Sequence, residues 1–237
     1  MKIEGIILST VDYKESSNII NIYTEEGKIG IKAIGAKNPK KGLVSTLEVG
    51  NILSFNLSED KMPKILEYNS IFNTYKILEK LDKMEALGLM LDIISNIDIN
   101  NNHKNIYNFS KKMILSLNDN NTLKVLSIFM IKILYAYGIN PNLKTCNKCN
   151  SKNIYTFDSI MGGALCKNCS NNLDDNYLNI IKEYYYDKKE ISEYTDCDFK
   201  ELLKVIYSYY NYHFPYDIKL NKYIAITKWF ILDFINI

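Results

Sequence analysis

The 237-residue sequence has no arginine, and all 29 of its basic residues are lysine. Any phosphate contact therefore falls to a point-charge ammonium rather than to the planar guanidinium fork. Histidine is scarce as well, with two in the chain. His103 lies in an Asn-rich stretch that reads as a loop, and His213 at an aromatic-rich helix end. Neither has a serine or cysteine nucleophile at a motif spacing, so both read as packing or surface residues rather than catalytic ones. Glu25–Glu26 reads as a polar hairpin turn, not as a carboxylate dyad. A G-x-x-x-x-G-K-[ST] loop and a strand-G-x-G-x-x-G-helix unit are both missing, which removes the common nucleotide-binding classes. No apolar run reaches the roughly 18–20 residues of a membrane span; Lys132 and Lys228 interrupt the best candidates. The opening "MKIEGIILSTVDYKESS" places Glu4 inside its apolar part and lacks a small-residue cleavage site, so it does not read as a secretory signal. The expectation is a cytoplasmic protein without a membrane partner, in a compartment where disulfides are rare.

What is present is globular in character. The hydrophobic fraction is 47% and the charged fraction 24%, which suits a folded domain. A net charge of +2 singles out no class of partner. Over residues 1–75 the short β-branched runs "KIEGIILSTV", "NIINIYT", "KIGIKAIG", "NILSFNL" and "KILEYNSIF" predict five strands, with "TEEGK" as a hairpin turn at Gly27. Five strands in so short a span fit a small closed barrel better than an open sheet with long edges. From residue 76 the apolar period becomes helical, with Leu78, Leu81, Ala86, Leu89, Leu91 and Ile94 on one spacing. "NIYNFSKKMILSL" and "LKVLSIFMIKILYAYG" continue it, with Gly138 as a C-cap. "DFKELLKVIYSYYNYHF" and "LNKYIAITKWFILDF" read as two further helices. The predicted class is α+β: a five-stranded β-barrel over 1–75, then an all-α domain over 76–237, with a knuckle inserted at 144–172.

That knuckle carries the sharpest motif. Cys146, Cys149, Cys166 and Cys169 match the C-x2-C-x15–20-C-x2-C zinc pattern. Each pair turns two thiolates toward one ion, and "MGG" (Met161 to Gly163) supplies permissive backbone before the second pair. Four thiolates close a tetrahedral site and leave no position for water or substrate, so one structural Zn2+ is expected rather than a catalytic one. A redox switch is the competing use of the same thiols. Cys197 has no partner at ligand spacing.

Between Gly27 and Leu47, "GKIGIKAIGAKNPKKGLVSTL" holds five lysines and no acid. Strand alternation puts Lys28, Gly30 and Lys32 on one face and Ile29, Ile31 and Ala33 on the other. Lys37, Lys40 and Lys41 follow in a Gly/Pro loop. Such a barrel is suited to tracking a phosphate backbone, and a plain solvated face fits the same charges. Tyr13 and Tyr23 are placed to stack on bases or, equally, to fill the core. Lys124, Ile128 and Lys132 share a helix face. That face reads either as a surface for an acidic, hydrophobic peptide tail or as a lysine-lined helix exterior.

The ordered set "GIILSTVDYKESSNIINIYTEEGKIGIKAIGAKNPKK", "STLEVGN", "LYAYGINPNLKTCNKC", "GGALCKNC" and "YNYHFPYDIKLNKYI" resembles the bacterial RecO family of DNA repair and recombination mediators over nearly the whole chain. The resemblance implies an N-terminal OB-fold, a helical domain and a zinc knuckle. It implies a protein, not an enzyme, that binds single- and double-stranded DNA and anneals complementary strands. The implied partners are RecR, the single-strand-binding protein SSB and RecA, with RecF as a further candidate, and the implied location is the nucleoid. The family's basic strand and loop match Lys28, Lys32, Lys37, Lys40 and Lys41; its zinc ligands match the four cysteines; and the helix face at Lys124 and Lys132 is the candidate site for the SSB tail. Two departures stand out. Lysines or neutral residues occupy positions where the family often has arginine, and "IKLNK" (Ile218 to Lys222) replaces the usual "LKS" with its basic followers. Without the resemblance, the same features would also suit a zinc-ribbon or OB-fold RNA-binding or transcription factor.

Overall fold

The structure, a computed structural model, describes residues 1–38, 43–97, 102–170, 177–186, 196–216 and 223. The chain forms two compact units, Met1–Asn120 and Asn121–Ile237.

The first unit is built on five strands, β1 (Lys2–Tyr13), β2 (Ser17–Thr24), β3 (Gly27–Ala33), β4 (Ile52–Leu57) and β5 (Ile65–Phe72). β1 is long enough to serve two neighbours. Its first half pairs antiparallel with β4, from Lys2↔Asn56 to Ile6↔Ile52. Its remainder pairs with β2 down to Tyr13↔Ser17, and the register shifts between Ile7 and Ser9. A bulge there bends the strand so that one ribbon can enter both halves of a barrel. The order β3-β2-β1-β4-β5 is closed where the Lys32 backbone N–H donates to the Pro63 carbonyl at 2.8 Å. Closure removes the edges that an open five-stranded sheet would expose. The interior is Ile7, Ile20, Ile22, Ile31, Leu53, Phe55 and Leu57 with smaller neighbours. The β2–β3 turn is Glu25–Glu26, with Gly27 at φ +108° and the Thr24 hydroxyl donating to the Gly27 carbonyl at 2.8 Å. Asn51 ties the start of β4 to the end of β5: its Oδ1 accepts from both the backbone N–H and the hydroxyl of Thr74, each at 2.9 Å.

Helices α1 (Leu43–Thr46), α2 (Tyr75–Leu78), α3 (Leu81–Ser95) and α4 (His103–Asp119) complete this unit. Two sequence expectations change here. Leu78 and Leu81 are exposed, at 41% and 58%, because the helix breaks at Glu79–Lys80 and the apolar phase restarts; Ala86, Leu89, Leu91 and Ile94 are buried as the spacing requires. His103 belongs to a helix rather than a loop, since Asn102 caps α4 by accepting from the Asn105 N–H. The Asn-rich stretch thus supplies a helix start.

The second unit contains α5 (Thr122–Ile133), a 3-10 turn (Leu134–Tyr137), the knuckle hairpin β6 (Thr156–Asp158) and β7 (Gly163–Leu165), α6 (Tyr177–Tyr185) and α7 (Asp196–His213). Gly138 follows the 3-10 turn at φ +66°, the left-handed C-cap that its sequence position suggests. α6 is a further short helix whose nine residues are too few for its periodicity to stand out. Tyrosines of α7 tie this unit together: Tyr210 donates to the Met130 carbonyl at 2.7 Å and Tyr209 to the Ile139 carbonyl at 2.6 Å. The knuckle rests on the same helix. His213 Nε2 lies 2.8 Å from the Ser159 carbonyl oxygen, and Ser159 bonds Ser208 at 2.8 Å. The "LNKYIAITKWFILDF" segment lies outside the described residues, apart from Tyr223.

Candidate nucleic-acid interface and metal centre

Strand pairing sets out the outer face of β1–β2–β3 in rows. Val11, Ile19 and Lys32 form one row, Ser9, Asn21 and Gly30 the next, and Tyr23 and Lys28 lie beyond. Their strand neighbours Ile20, Ile22, Ile31 and Ala33 point into the barrel. Gly30 adds no side chain to its row, which leaves a shallow notch lined by Ser9, Asn21, Lys28 and Ser95.

The two ends of this face differ. At one end α4 covers it. Tyr23 is fully buried, and its hydroxyl lies 3.0 Å from His103 Nδ1. Burial pushes the Tyr23 phenol well above its ordinary range. Tyr107 of the same helix donates to Glu4 at 2.5 Å, and Lys111 meets the same carboxylate oxygen at 2.6 Å. Of the two tyrosines that could stack on bases, Tyr23 is therefore interior. At the other end the face is open. Tyr13 is half-exposed and Val11 is 53% exposed. The Lys14 and Lys32 ammonium groups lie 5.4 and 5.6 Å from the Tyr13 ring centroid, within cation–π range.

The five lysines singled out in the sequence occupy different settings. Lys28 is exposed but donates to the carbonyl of Ser95, the last residue of α3, at 3.0 Å, a favourable place for a cation. Lys32 lies over Tyr13. Lys37 pairs with Asp12 at 3.0 Å and reaches the Lys14 carbonyl at 3.4 Å. The tract is acid-free along the chain, but folding lays a carboxylate from β1 beside it. Lys40 and Lys41 lie outside the described residues. Lys14, which the sequence reading left out, belongs to this cluster. Its signal was its place beside Tyr13 in the turn "YKESS", where it takes φ +54°.

On α5, Leu123, Lys124, Ile128 and Lys132 are half-exposed, while Val125, Leu126, Phe129, Met130, Ile131 and Ile133 are buried, so Lys124, Ile128 and Lys132 lie on the half-exposed side. The three share the helix's outer face.

The four knuckle cysteines converge, with all four sulfurs within 4.8 Å of one another. Cys149 and Cys166 Sγ stand 3.6 Å apart. Tetrahedral Zn–S bonds of ~2.3 Å place sulfurs about 3.8 Å apart, so the set fits such an ion. Cys146 and Cys166 are buried and Cys149 is exposed. Burial works to raise the Cys146 thiol, but backbone N–H groups of Cys166, Cys149 and Lys148 outweigh it and bring the pKa to about 6. Hydrogen bonding with the Cys166 and Cys149 sulfurs pushes Cys169 up to about 12. For Cys149 the Ser151 N–H acts to lower the pKa, and the Cys146 and Cys166 sulfurs together raise it. Once one thiolate forms, its neighbours resist ionising, and a divalent cation removes that resistance. Four cysteines close enough to hold one metal ion, with all positions supplied by protein, make a closed site.

The family model described as "Recombination protein O N terminal" matches residues 1–73, and "Recombination protein O C terminal" matches residues 78–221. The chain belongs to the RecO family. Relatives named DNA repair protein RecO include that of Acetivibrio thermocellus, 29% identical over 73% of this chain and 71% of the relative. That of Halalkalibacterium halodurans is 29% identical over 71% and 68%, and that of Oceanobacillus iheyensis is 22% identical over 97% and 95%. RecO membership places the chain in DNA repair and recombination. The RecO family models meet between residues 73 and 78, whereas the compact units part at Asn120 and Asn121. α3 and α4 thus fall in the C-terminal family segment and fold with the N-terminal barrel.

Proposed function

We propose that the chain is a cytoplasmic, nucleoid-associated recombination mediator, not an enzyme. It binds single- and double-stranded DNA, anneals complementary strands and, with RecR, helps load RecA onto SSB-coated single strands. The observation that carries this reading is the open end of the β1–β2–β3 face, where Tyr13 lies beneath the Lys14 and Lys32 ammonium groups. OB-folds bind nucleic acid on this face and on the loops flanking it. A base stacks on the tyrosine ring, and the lysines neutralise the phosphates on either side. Lys37, Lys40 and Lys41 extend the phosphate track, and Asp12 tempers it. Lys28 serves mainly to hold α3 against β3. Annealing follows because neutralised strands no longer repel each other and their bases remain free to pair.

Zinc is proposed as the knuckle's structural ion, held by Cys146, Cys149, Cys166 and Cys169; it supplies cross-linking there and no chemistry. The outer face of α5, with Lys124, Ile128 and Lys132, is proposed to receive the acidic, hydrophobic SSB tail. RecF is a further candidate partner.

Titration of an oligonucleotide at several salt concentrations tests the DNA site. Three to five lysines on phosphates give a slope of log K against log[salt] of about −2 to −3.5 for single strands. A slope near zero excludes a phosphate track on the barrel. Marked preference for structured RNA over DNA replaces the mediator reading with an RNA-binding one.

A further inference from the structure

The knuckle's exposed surface is not needed to hold a metal. Between Leu143 and Ser170 the chain carries four lysines, Lys144, Lys148, Lys152 and Lys167, and one carboxylate, Asp158. All four lysines are exposed. Asp158 is engaged in its own turn, where its Oδ1 accepts from the Ile160 and Met161 N–H groups at 2.9 and 3.0 Å. A zinc ion with four thiolates carries a formal charge of about −2, and even with that counted the knuckle stays net positive. Lys148 donates to the Cys169 carbonyl at 3.3 Å, which places one lysine directly at the metal site. Lys167 points elsewhere: its ammonium lies 6.0 Å from the Tyr155 ring centroid. Tyr155 is 44% exposed on a rigid mount, since its backbone N–H donates to the Leu165 carbonyl at 2.7 Å across the β6–β7 hairpin. Lys152 lies three residues before it, and the Ile154 N–H donating to the Lys152 carbonyl at 3.0 Å keeps that link tight.

An exposed ring with an ammonium over it, flanked by further cations, is the pairing used for sequence-tolerant single-strand binding. The barrel presents the same pairing at Tyr13, on the other compact unit. We infer that the knuckle is a second single-strand site, where a base stacks on Tyr155 and Lys167 and Lys152 hold the adjoining phosphates. The inference rests on the reading of the barrel as the first DNA site and extends it. A chain with two such sites holds two strands at once, which one site cannot do.

Photo-crosslinking of the full-length, zinc-loaded chain to a single-stranded oligonucleotide carrying 5-iodouracil, with the joined peptides mapped by mass, separates the two claims. Adducts at both Tyr13 and Tyr155 are expected. Adducts at Tyr13 without Tyr155 overturn the knuckle site and leave the barrel reading standing. Adducts at Tyr155 without Tyr13 keep the knuckle and overturn the barrel, and adducts at neither overturn both. The variant Tyr155→Ala/Lys167→Glu supplies a second readout. With one zinc per chain retained, it is expected to slow annealing about tenfold, the order of one lost stacked base. Its affinity for a short oligonucleotide is expected to change less than twofold, because the barrel site remains. Annealing at the wild-type rate in that variant contradicts the inference.

Discussion

Two tyrosines ten residues apart on neighbouring strands have opposite fates, and the helix α4 decides them. Tyr13 and Tyr23 lie on the same outer face of the barrel sheet. α4 lies over Tyr23 and supplies His103 to its hydroxyl, while Tyr13 stays half-exposed between two ammonium groups. Tyr13→Ala is therefore expected to weaken single-strand binding by about 1–3 kcal/mol, the usual worth of a stacked base, with the melting temperature unchanged. Tyr23→Phe is expected to do the reverse: it removes one buried hydrogen bond, worth about 1 kcal/mol of stability, and leaves affinity unchanged. Fluorescence anisotropy and thermal melting on both variants check the pair. Nothing in the sequence distinguishes these residues, since the difference comes from a helix eighty positions away. Lys28 teaches the same point. It reads as one more cation in a basic tract until α3 brings the Ser95 carbonyl to its ammonium.

At the scale of elements, strands and the cysteine motif were legible because each is written in local pattern. The five β-branched runs became β1 to β5 with ends shifted by a residue or two, and Gly27 and Gly138 took the positive φ that their turns require. The cysteine spacing brought four sulfurs within 4.8 Å. Less legible were features that depend on phase or on partners. The break at Glu79–Lys80 left Leu78 and Leu81 outside the core. The nine-residue α6 carried too few turns to register, and Asp12 reached Lys37 only through folding. The knuckle is small, and the proposed zinc would be its main source of order, since structural zinc contributes roughly 10–16 kcal/mol of apparent binding free energy in small domains. Chelation is expected to make residues 144–170 protease-sensitive and to lower the stability of the second unit, because His213 and Ser208 of α7 rest on that hairpin. Limited proteolysis with and without chelator, followed by mass spectrometry, checks this. An unchanged digestion pattern would mean that the cysteines are not a folding staple.

For the whole molecule, the division at Asn120 and Asn121 has a consequence that the sequence period conceals. Where strands give way to helices at residues 75–76, a domain boundary is the natural reading. Yet Tyr107 and Lys111 of α4 satisfy Glu4 of β1, and His103 completes Tyr23. A fragment of residues 1–120 is expected to melt cooperatively at a higher temperature than residues 1–75, which would expose Tyr23 and leave Glu4 without Lys111 and the Tyr107 hydroxyl. Equal melting temperatures would return the boundary to residue 75. The central claim, that this RecO family member mediates strand annealing through its barrel, is tested most directly with complementary single strands precoated with SSB. Their annealing rate is compared without protein, with the zinc-loaded chain, and with a variant in which Lys14, Lys32, Lys37, Lys40 and Lys41 are glutamate. Lys28 is kept so that α3 stays in place. Acceleration by the wild type and its loss in the folded variant is the expected result. No acceleration by a folded, zinc-loaded wild type would contradict mediation, and acceleration that survives the variant would contradict the barrel site.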